Sequence, residues 1–443
     1  MSVRARMHLA VRLPGAVDTT VRAGAVDTTV RAGAVDATVR AGVGSATVRP
    51  GLGSATVRPG LGNSTVRPGA RGTTVRPGAG DATGPATGRR SSSPVDFASF
   101  EGLARTAERG LFDFLLLAGG RPSPDREGSV RAPDVVGRPE AITVLNALAA
   151  VTERLGLAAT ADAVFDEPYE LARRLATLDH LSEGRAAWNV VAATDASTAE
   201  NLRRGGCPDI AARYPRAAEC VEAARELWDS WTPGGVSRPI AYRGRYFDIA
   251  GDFTVPRPPQ GHPVVIHAGD SPEGREFAAR AADVVLVEGG SGDGFPGGHG
   301  SLHGALEAGR VFRAEMKERL AAYGRSPEEL KIMPVVGFVL GDTAAEARER
   351  AAESLSVRQT VIETSGRGPI VGTPEAVAAA LDEGVRTGAA DGFVLVPPAT
   401  PGGLDEFVDR VVPLLQERGA FRTEYTGTTL RSHLGLAEPV WKG

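Results

Sequence analysis

The sequence predicts an α/β fold in which one (β/α)₈ barrel, a TIM barrel, makes up most of the chain. Short apolar runs alternate with amphipathic stretches of helical period from about residue 97 to residue 418. About eight runs of each kind are present, which is the number that closes a parallel sheet into such a barrel. An open, doubly wound sheet is the less favoured alternative, because no Gly-x-Gly-x-x-Gly motif follows any of the runs.

The composition excludes several classes of partner. Of the 443 residues, 42% are hydrophobic, and the formal net charge is −4. This balance predicts neither nucleic acid nor an anionic membrane surface as a partner. The two cysteines, Cys207 and Cys220, cannot form a disulfide framework and lack metal-site spacing. No apolar run is long enough for a transmembrane helix or a secretion signal, so we predict a cytoplasmic protein.

The N-terminal part of the chain is repetitive. Residues 7–13 are a candidate first strand, and seven nonapeptide units such as AVDTTVRAG follow over residues 16–78. Each unit has little apolar surface beyond its valine, which predicts a disordered segment, with a stacked β-solenoid as the alternative. We therefore divide the chain into an N-terminal repeat segment, residues 1–94, and a barrel domain, residues 95–443.

The stretch from Asp166 to Val191 predicts a helix, a tight turn and a buried strand. Asp166 is a candidate helix cap, and Pro168 suits a first helical turn because its missing N–H would have no partner there. Leucines at i, i+4 and i+7 give the helix an apolar face, and Ser182-Glu183-Gly184 ends it. Residues 185–191 then form the apolar run that a buried parallel strand requires.

The other elements are predicted in the same way, from the spacing of apolar residues and from the Gly and Pro residues at the ends of each run. A hairpin is predicted within residues 241–261. Strands are predicted over residues 112–117, 155–159, 263–267, 283–287, 331–340 and 392–396, and helices over 97–109, 140–154, 211–231, 272–281, 303–323, 344–355, 374–386 and 404–418.

Two places in this pattern are candidate binding positions. Asn189 lies near the carboxyl end of a buried strand, where barrel enzymes place binding groups, although a satisfied core amide is the alternative. Residues 267–272, HAGDSP, join a strand to a helix N-terminus, where free N–H groups and a glycine can bind an anion. A plain helix cap is the alternative there, since the charge of Asp270 would oppose a phosphate. Tyr214 and Arg216, near a helix start, could reach a phosphate or cover the rim.

The sequence contains no recognisable nucleophile motif. There is no Gly-x-Ser-x-Gly, and His299 and His303 lack the His-Glu-x-x-His context of a zinc site. We therefore name no catalytic residue and predict no metal.

Several long motifs resemble one known family. They are EPYELARRLATLDHLSEGRAAWNVV, RYPRAAECVEAARELWDSW, YRGRYFDIAGDFTVPRPPQGHPVVIHAGDSPEGREFAARAADVV and VGTPEAVAAAL. In order and spacing they resemble the flavin-dependent monooxygenases of the bacterial luciferase-like superfamily. The most similar branch contains nitrilotriacetate monooxygenase component A and the pristinamycin-type and dibenzothiophene-sulfone monooxygenases.

The resemblance implies a function that uses a cofactor. It implies reduced FMN at the carboxyl ends of the barrel strands, supplied by a separate NAD(P)H:flavin reductase. Molecular oxygen then oxygenates a small organic substrate, and the protein is expected to be a homo-oligomer. This fits the lack of a nucleophile, because the cofactor carries the difficult chemistry. The family's phosphate-holding segment, usually Gln-Ala-Gly-x-Ser, falls on residues 267–271. Gly269, Asp270 and Ser271 are therefore expected to bind the FMN phosphate with Tyr214, and Asn189 is expected near the isoalloxazine.

The chain departs from the family pattern at several positions, and three of them, Gly119, Thr160 and Ala192, are positions expected to bind the cofactor. Ala192 follows Trp-Asn-Val-Val where Thr or Ser is usual, and Gly119 follows the second strand where Asp is usual. Thr160 belongs to a Thr-Ala-Asp segment in place of Thr-x-Ser-Thr, and the repeats are expected to replace or displace the first strand. These departures leave a degenerate barrel without turnover as one alternative. An oxidoreductase dependent on the deazaflavin F420 is another, because the same superfamily includes such enzymes.

Overall fold

The computed structural model describes most of the chain: residues 7–13, 97–117, 139–192, 210–269, 271–287, 302–357, 369–397 and 403–442, with six short strands between residues 28 and 75. Eight parallel strands form a closed barrel, because each pairs with its neighbour in the chain and the last pairs with the first. The predicted (β/α)₈ fold is therefore confirmed. The barrel strands are β1 (His8–Leu13), β2 (Phe114–Leu117), β3 (Gly156–Asp162), β4 (Ala186–Val191), β5 (Val264–Ala268), β6 (Val284–Val287), β7 (Lys331–Leu340) and β8 (Gly392–Val396).

The first strand is intact and closes the barrel. In β1, His8 is opposite Gly392 of β8, and Ala10 is opposite Phe114 of β2. A side chain at Gly392 would lie 2.1 Å from the carbonyl oxygen of His8, so glycine permits this close approach. The expectation that the repeats replace or displace the first strand is wrong. The repeats instead lie, in sequence, between β1 and the first helix, so barrel residues occur on both sides of them.

Helices alternate with the strands, and most of their predicted bounds agree with the structure within a few residues. One predicted helix, over residues 404–418, is two helices, because Pro413 lacks the N–H that would continue the hydrogen-bond ladder. Asp166 was expected to cap the helix before β4, but the cap position belongs to Glu167. The helices are α1 (Phe97–Arg109), α2 (Ala141–Ala149), α3 (Pro168–Leu181), α4 (Ile210–Asp229), α5 (Pro272–Ala281), α6 (Leu302–Ala322), α7 (Ala344–Val357), α8 (Pro374–Arg386), α9 (Gly403–Arg410), α10 (Val412–Glu417) and α11 (Leu430–His433).

The core has two layers because side chains alternate along each strand. On β4, Ala187 packs with the apolar cluster inside the barrel, whereas Trp188 packs with the cluster between strands and helices. Leu430 and Leu434 join the inner cluster, and the N–H of Leu430 bonds to the carbonyl of Gly184, just before β4. The C-terminal segment therefore fills the end of the barrel where the strands begin and leaves the opposite end to the site.

Buried aspartates join neighbouring strands at their amino-terminal ends. Asp113 accepts a hydrogen bond from the N–H of Leu9 at 2.8 Å and also contacts His8 and Arg422. Burial alone raises the pKa of Asp113, but Arg422 and His8 outweigh it and hold the pKa at about 2. Asp283 accepts from the N–H of Val265 in the same way. Polar groups at this end of a barrel contribute to stability.

The repeats form a unit of their own, residues 20–92. Strands from alternate repeats pair in parallel, so that Thr28–Arg31 pairs with Ala46–Arg49 and Ala37–Arg40 pairs with Ala55–Arg58. The result is two three-stranded sheets in which the partner lies two repeats away. This pairing is the arrangement of the stacked-solenoid alternative. Residues 8–13 of this segment form β1, and the prediction that the repeats themselves are disordered stays a prediction.

A short extra strand, Ile370–Gly372, pairs in parallel with the end of β7, and a hairpin lies between α4 and β5. Ile240–Arg243 and Asp248–Gly251 form the predicted hairpin, in antiparallel register. Among the helices of the described residues, none combines the length and the apolar character that crossing a bilayer requires.

Candidate active site

Polar side chains meet at the carboxyl ends of β2, β3 and β4. Asn189 of β4 is opposite Thr160 of β3, and its Nδ2 donates to Thr160 Oγ1 at 3.1 Å. Thr160 Oγ1 in turn donates to the carbonyl of Leu117, the last residue of β2, at 2.9 Å. Asn189 has the same strand parity as Ala187, so it is on the inner face of the barrel. The two side chains therefore form a short polar chain at the mouth of the barrel.

The amide of Asn189 has a free acceptor. Asn189 is buried, and its Oδ1 bonds to no group in the part of the chain that the structure describes. A buried acceptor without a donor costs about 1–3 kcal/mol. Because Thr160 fixes the Nδ2 side of the amide, Oδ1 is held in one orientation. This is the arrangement expected of a group that accepts a hydrogen bond from a ligand.

A second cluster surrounds the N-terminus of α5. Gly274, in the first turn of this helix, is buried, and a Cβ atom there would lie 3.1 Å from His267 Nε2, 3.1 Å from Tyr214 Oη and 3.3 Å from Ser271 Oγ. Polar atoms from β5, α4 and the cap of α5 thus converge on one small space that glycine leaves open. The positive end of the helix dipole adds to the attraction of this space for an anion.

The local sequence explains how this space forms. Ser271 caps α5 by accepting the N–H of Gly274 at 3.1 Å, and Pro272 occupies the first turn. Gly269 has a φ of 155°, a backbone conformation that residues with a side chain rarely adopt. A Cβ atom at this position would lie 3.0 Å from His267 Nε2. The chain therefore leaves β5 and enters α5 without a side chain filling the space.

His267 supplies a buried imidazole to this cluster. Its Nδ1 lies 3.3 Å from the carbonyl oxygen of Val190, and its ring packs edge-on against Tyr214 and Phe277. Its Nε2 is buried and bonds to no group among the described residues. Burial lowers the pKa of His267 to about 4, so the imidazole is neutral at neutral pH.

The structure brings together most of the residues predicted from sequence, in two groups. Thr160 and Asn189 lie at the mouth of the barrel, whereas Tyr214, Gly269 and Ser271 lie around the N-terminus of α5. Ala192 directly follows β4 and is buried, with a methyl group that forms no hydrogen bond. The remaining two predicted residues, Gly119 and Asp270, are outside the described residues.

Some expectations about the site need correction or addition. Arg216 was a candidate phosphate ligand, but its guanidinium donates to the carbonyl of Val164 and covers the ring of Phe247. His267 and Gly274 are not among the individual site residues that the sequence predicts. A signal for Gly274 was present, because a glycine in the first turn after a Ser-Pro cap lowers helix propensity without an apparent local benefit.

The arrangement favours binding over nucleophilic catalysis. The corner at α5 offers two hydroxyl groups and the positive end of a helix dipole, which suit a phosphate. The amide at the barrel mouth suits a heterocycle with N–H groups. The described cysteine, Cys220, is buried, and burial raises the pKa of its thiol, so it does not supply a thiolate.

Comparison with known proteins identifies the family. The sequence profile described as luciferase-like monooxygenase matches residues 80–367. The chain belongs to the luciferase-like monooxygenase family. It is 35% identical to N-acetyl-S-(2-succino)cysteine monooxygenase of Bacillus subtilis, over 79% of this chain and 92% of the relative. It is also 35% identical to nitrilotriacetate monooxygenase component A of Aminobacter aminovorans, over 78% and 91% of the two chains.

A solved structure supports both the fold and a flavin cofactor for this family member. A riboflavin lyase crystallised with modified FMN and riboflavin is 28% identical, with a TM-score of 0.67 over 79% of this chain and 91% of that chain. The predicted family, barrel and enzyme class, a flavin-dependent monooxygenase, are therefore confirmed. The roles of the individual site residues stay proposals.

Proposed function

We propose that this luciferase-like monooxygenase is the oxygenating component of a two-component system. It takes reduced FMN from a separate NAD(P)H:flavin reductase and uses molecular oxygen to oxygenate a small organic substrate. The observation that carries the proposal is the convergence of Tyr214, Ser271 and His267 on the space beside Gly274. Such a corner suits the phosphate that distinguishes FMN from riboflavin.

The residues present fit FMN at both ends of the molecule. The phosphate would be held by Tyr214 Oη and Ser271 Oγ, at the positive end of the α5 dipole. The isoalloxazine would meet Asn189, whose orphaned Oδ1 can accept a hydrogen bond from a ring N–H. The reduced flavin supplies the electrons with which oxygen is activated. The protein's contribution is to orient the ring and, through the apolar interior beneath Asn189, to exclude water.

One observation favours a second candidate, a barrel that no longer turns over. Ala192 has no hydrogen-bonding group where the family pattern has Thr or Ser. One lost hydrogen bond weakens binding by about fivefold, because it is worth about 1 kcal/mol. Restoring the hydroxyl with Ala192→Thr should strengthen flavin binding markedly if this loss is what inactivates the site, and leave it unchanged otherwise.

The proposal is tested by binding before any substrate is known. Purified protein is titrated with FMN, anaerobically reduced FMN, riboflavin and F420, and binding is followed by flavin fluorescence and anaerobic absorbance. We expect micromolar or tighter binding of reduced FMN, with riboflavin at least tenfold weaker. Failure of both forms of FMN to bind would refute the proposal, and a preference for F420 would favour the deazaflavin alternative.

Two finer predictions accompany this proposal. A cytoplasmic location and a homo-oligomeric state are expected from the sequence and the resemblance. Light scattering of the purified protein, at concentrations from micromolar upward, tests the second. A monomer over that range would contradict it.

A further inference from the structure

We propose that His267 is a proton-coupled phosphate ligand, which is neutral in the protein alone and takes up a proton when a phosphate binds beside α5. The inference rests on the proposed function, because it takes the phosphate of FMN as the anion. It goes beyond that function by making flavin affinity depend on pH through one residue. It also explains why an imidazole with an unused nitrogen is buried at this corner.

The hydrogen bond to Val190 determines what His267 can offer. With the proton on Nδ1, the imidazole donates to the carbonyl of Val190, and Nε2 presents a lone pair to the space beside Gly274. A phosphate oxygen is also an acceptor, so the neutral ring cannot bond to it in this tautomer. The other tautomer would place a lone pair on Nδ1, 3.3 Å from the Val190 oxygen. Only the imidazolium donates to both partners.

The balance of charge favours proton uptake once a phosphate is present. With a pKa of about 4, the neutral form of His267 is favoured about a thousandfold at pH 7. One opposite charge at about 4 Å, with an effective dielectric constant of about 20, favours the charged form by about a thousandfold. A single negative charge thus offsets the preference for the neutral imidazole at pH 7. The second charge of a phosphate dianion then makes the imidazolium the dominant form.

The described surroundings provide no competing counter-ion for His267. The neighbouring strand positions are Val190 on β4 and Val285 on β6, and both are apolar. On α4 the titratable group that faces the ring is the phenol of Tyr214. On α5 the ring meets Phe277 and Gly274; Glu273 is exposed and Arg275 pairs with Glu315. Asp270 lies outside the described residues and is the carboxylate nearest to His267 in sequence. The experiment must therefore separate proton uptake by Asp270 from proton uptake by His267.

The family pattern provides a matched control. The resemblance places Gln at the position of His267, and the Gln amide is a donor that does not titrate. The variant His267→Gln can therefore bind phosphate without taking up a proton. Asp270→Asn removes the charge of the carboxylate nearest in sequence and keeps the shape of the side chain. Riboflavin, which has no phosphate, reports on the flavin ring alone.

The experiment measures protons as well as affinity. Oxidised FMN is titrated into each variant by calorimetry at pH 7.5 in two buffers of different ionisation enthalpy, and Kd is measured from pH 6.5 to 8.5. The wild type should take up close to one proton more per FMN than His267→Gln. The Kd of the wild type for FMN should decrease by up to tenfold for each pH unit toward acid. His267→Gln should show a nearly flat profile, and Asp270→Asn, whatever its affinity for FMN, should keep the pH slope and the proton uptake of the wild type. Histidine ¹⁵N resonances of the wild type should show one ring becoming doubly protonated with FMN and not with riboflavin.

The other outcomes are equally informative. Equal proton uptake and parallel pH profiles in wild type and His267→Gln overturn the inference and leave FMN binding established. A profile lost in Asp270→Asn but kept in His267→Gln also overturns it, in favour of Asp270. If no flavin binds at any pH, the proposed function fails, and the inference fails with it.

Discussion

Nδ2 of Asn189 donates to Oγ1 of Thr160 across 3.1 Å. This bond holds the side-chain amide of Asn189 in a fixed orientation at the mouth of the barrel. The hydroxyl that receives the bond is itself fixed by the carbonyl of Leu117. Three neighbouring strands thus determine the direction of Asn189 Oδ1, the atom left without a partner. A group with no such use would be expected to satisfy both of its polar ends within the protein.

Replacing Asn189 by alanine should weaken FMN binding without unfolding the barrel. The change removes the orphaned acceptor, while Thr160 keeps its bond to Leu117. One lost hydrogen bond of about 1 kcal/mol predicts a Kd about fivefold higher, measured by fluorescence titration. Riboflavin should lose affinity by the same factor, because the amide is expected to contact the ring. Wild-type affinity in Asn189→Ala would place the flavin ring elsewhere.

Ser271→Asp separates the capping role of this residue from its role in phosphate binding. Aspartate caps helices as well as serine, so the free energy of unfolding should stay within about 0.5 kcal/mol of the wild type. The added carboxylate, however, repels a phosphate at the N-terminus of α5. We expect FMN binding to weaken at least a hundredfold while riboflavin binding is kept, by the same titration. Equal losses for the two flavins would argue that Ser271 does not face the phosphate.

Gly274→Ala tests whether the space beside α5 is a ligand site. The new Cβ would lie 3.1 Å from both His267 Nε2 and Tyr214 Oη, and would therefore fill the space. FMN should bind at least tenfold more weakly. Gly102→Ala is the matched control, because this exposed glycine of α1 has no atom within 4 Å of its Cβ position. It should raise the free energy of unfolding by about 1 kcal/mol and leave flavin affinity unchanged. If Gly274→Ala also binds FMN normally, the space beside α5 is not the phosphate site.

Much of the barrel could be predicted from sequence because local signals mark its elements. Pro and Ser or Thr caps fix the start of α5 and α8, and the predicted bounds of both helices agree with the structure. Residues 7–13 were a candidate strand, but the strands with which β1 pairs could not be predicted in this way. Its pairing with β8 joins His8 to Gly392, and no local pattern reports a contact between residues so distant in the chain.

The site shows the same division between local and long-range information. The corner at residues 267–271 was visible because its residues are consecutive. The free nitrogen of His267 depends on Val190, Tyr214 and Phe277, which come from other elements, so only packing reveals it. Arg216 lies two residues after Tyr214, and a linear motif does not show that its guanidinium instead meets Val164 and Phe247.

A buried histidine far from the site should make the barrel sensitive to acid. Burial lowers the pKa of His433, which packs against Tyr425, to about 4. The unfolded chain binds a proton at this residue below pH 6.5, and the folded chain does so only below about pH 4. Stability is therefore full above pH 6.5 and falls as pH decreases from 6.5 to 4, by about 2 kcal/mol at pH 5.

His433→Phe should remove this contribution. Urea unfolding at pH 7.5 and pH 5 should show a loss of stability about 2 kcal/mol smaller in the variant than in the wild type. His267 has the same sign of effect, so part of the acid sensitivity should persist. An identical loss in both proteins would mean that His433 is protonated in the folded state.

Two deletions test how the repeats relate to the barrel. Deleting residues 15–93 joins Pro14 to Pro94 and leaves four residues, 14 and 94–96, between β1 and α1, which is an ordinary length for such a connection. The barrel should fold, with Tm within about 2 °C of the wild type, because in a domain of this size that corresponds to about 1–2 kcal/mol. Deleting residues 1–94 is the matched comparison, since it removes the repeats and β1 together. It takes away buried Leu9, Val11 and Leu13 and exposes the unpaired edges of β2 and β8. This variant should aggregate or unfold without cooperativity. A large drop in Tm for the first deletion would instead show that the repeats are part of the folded unit.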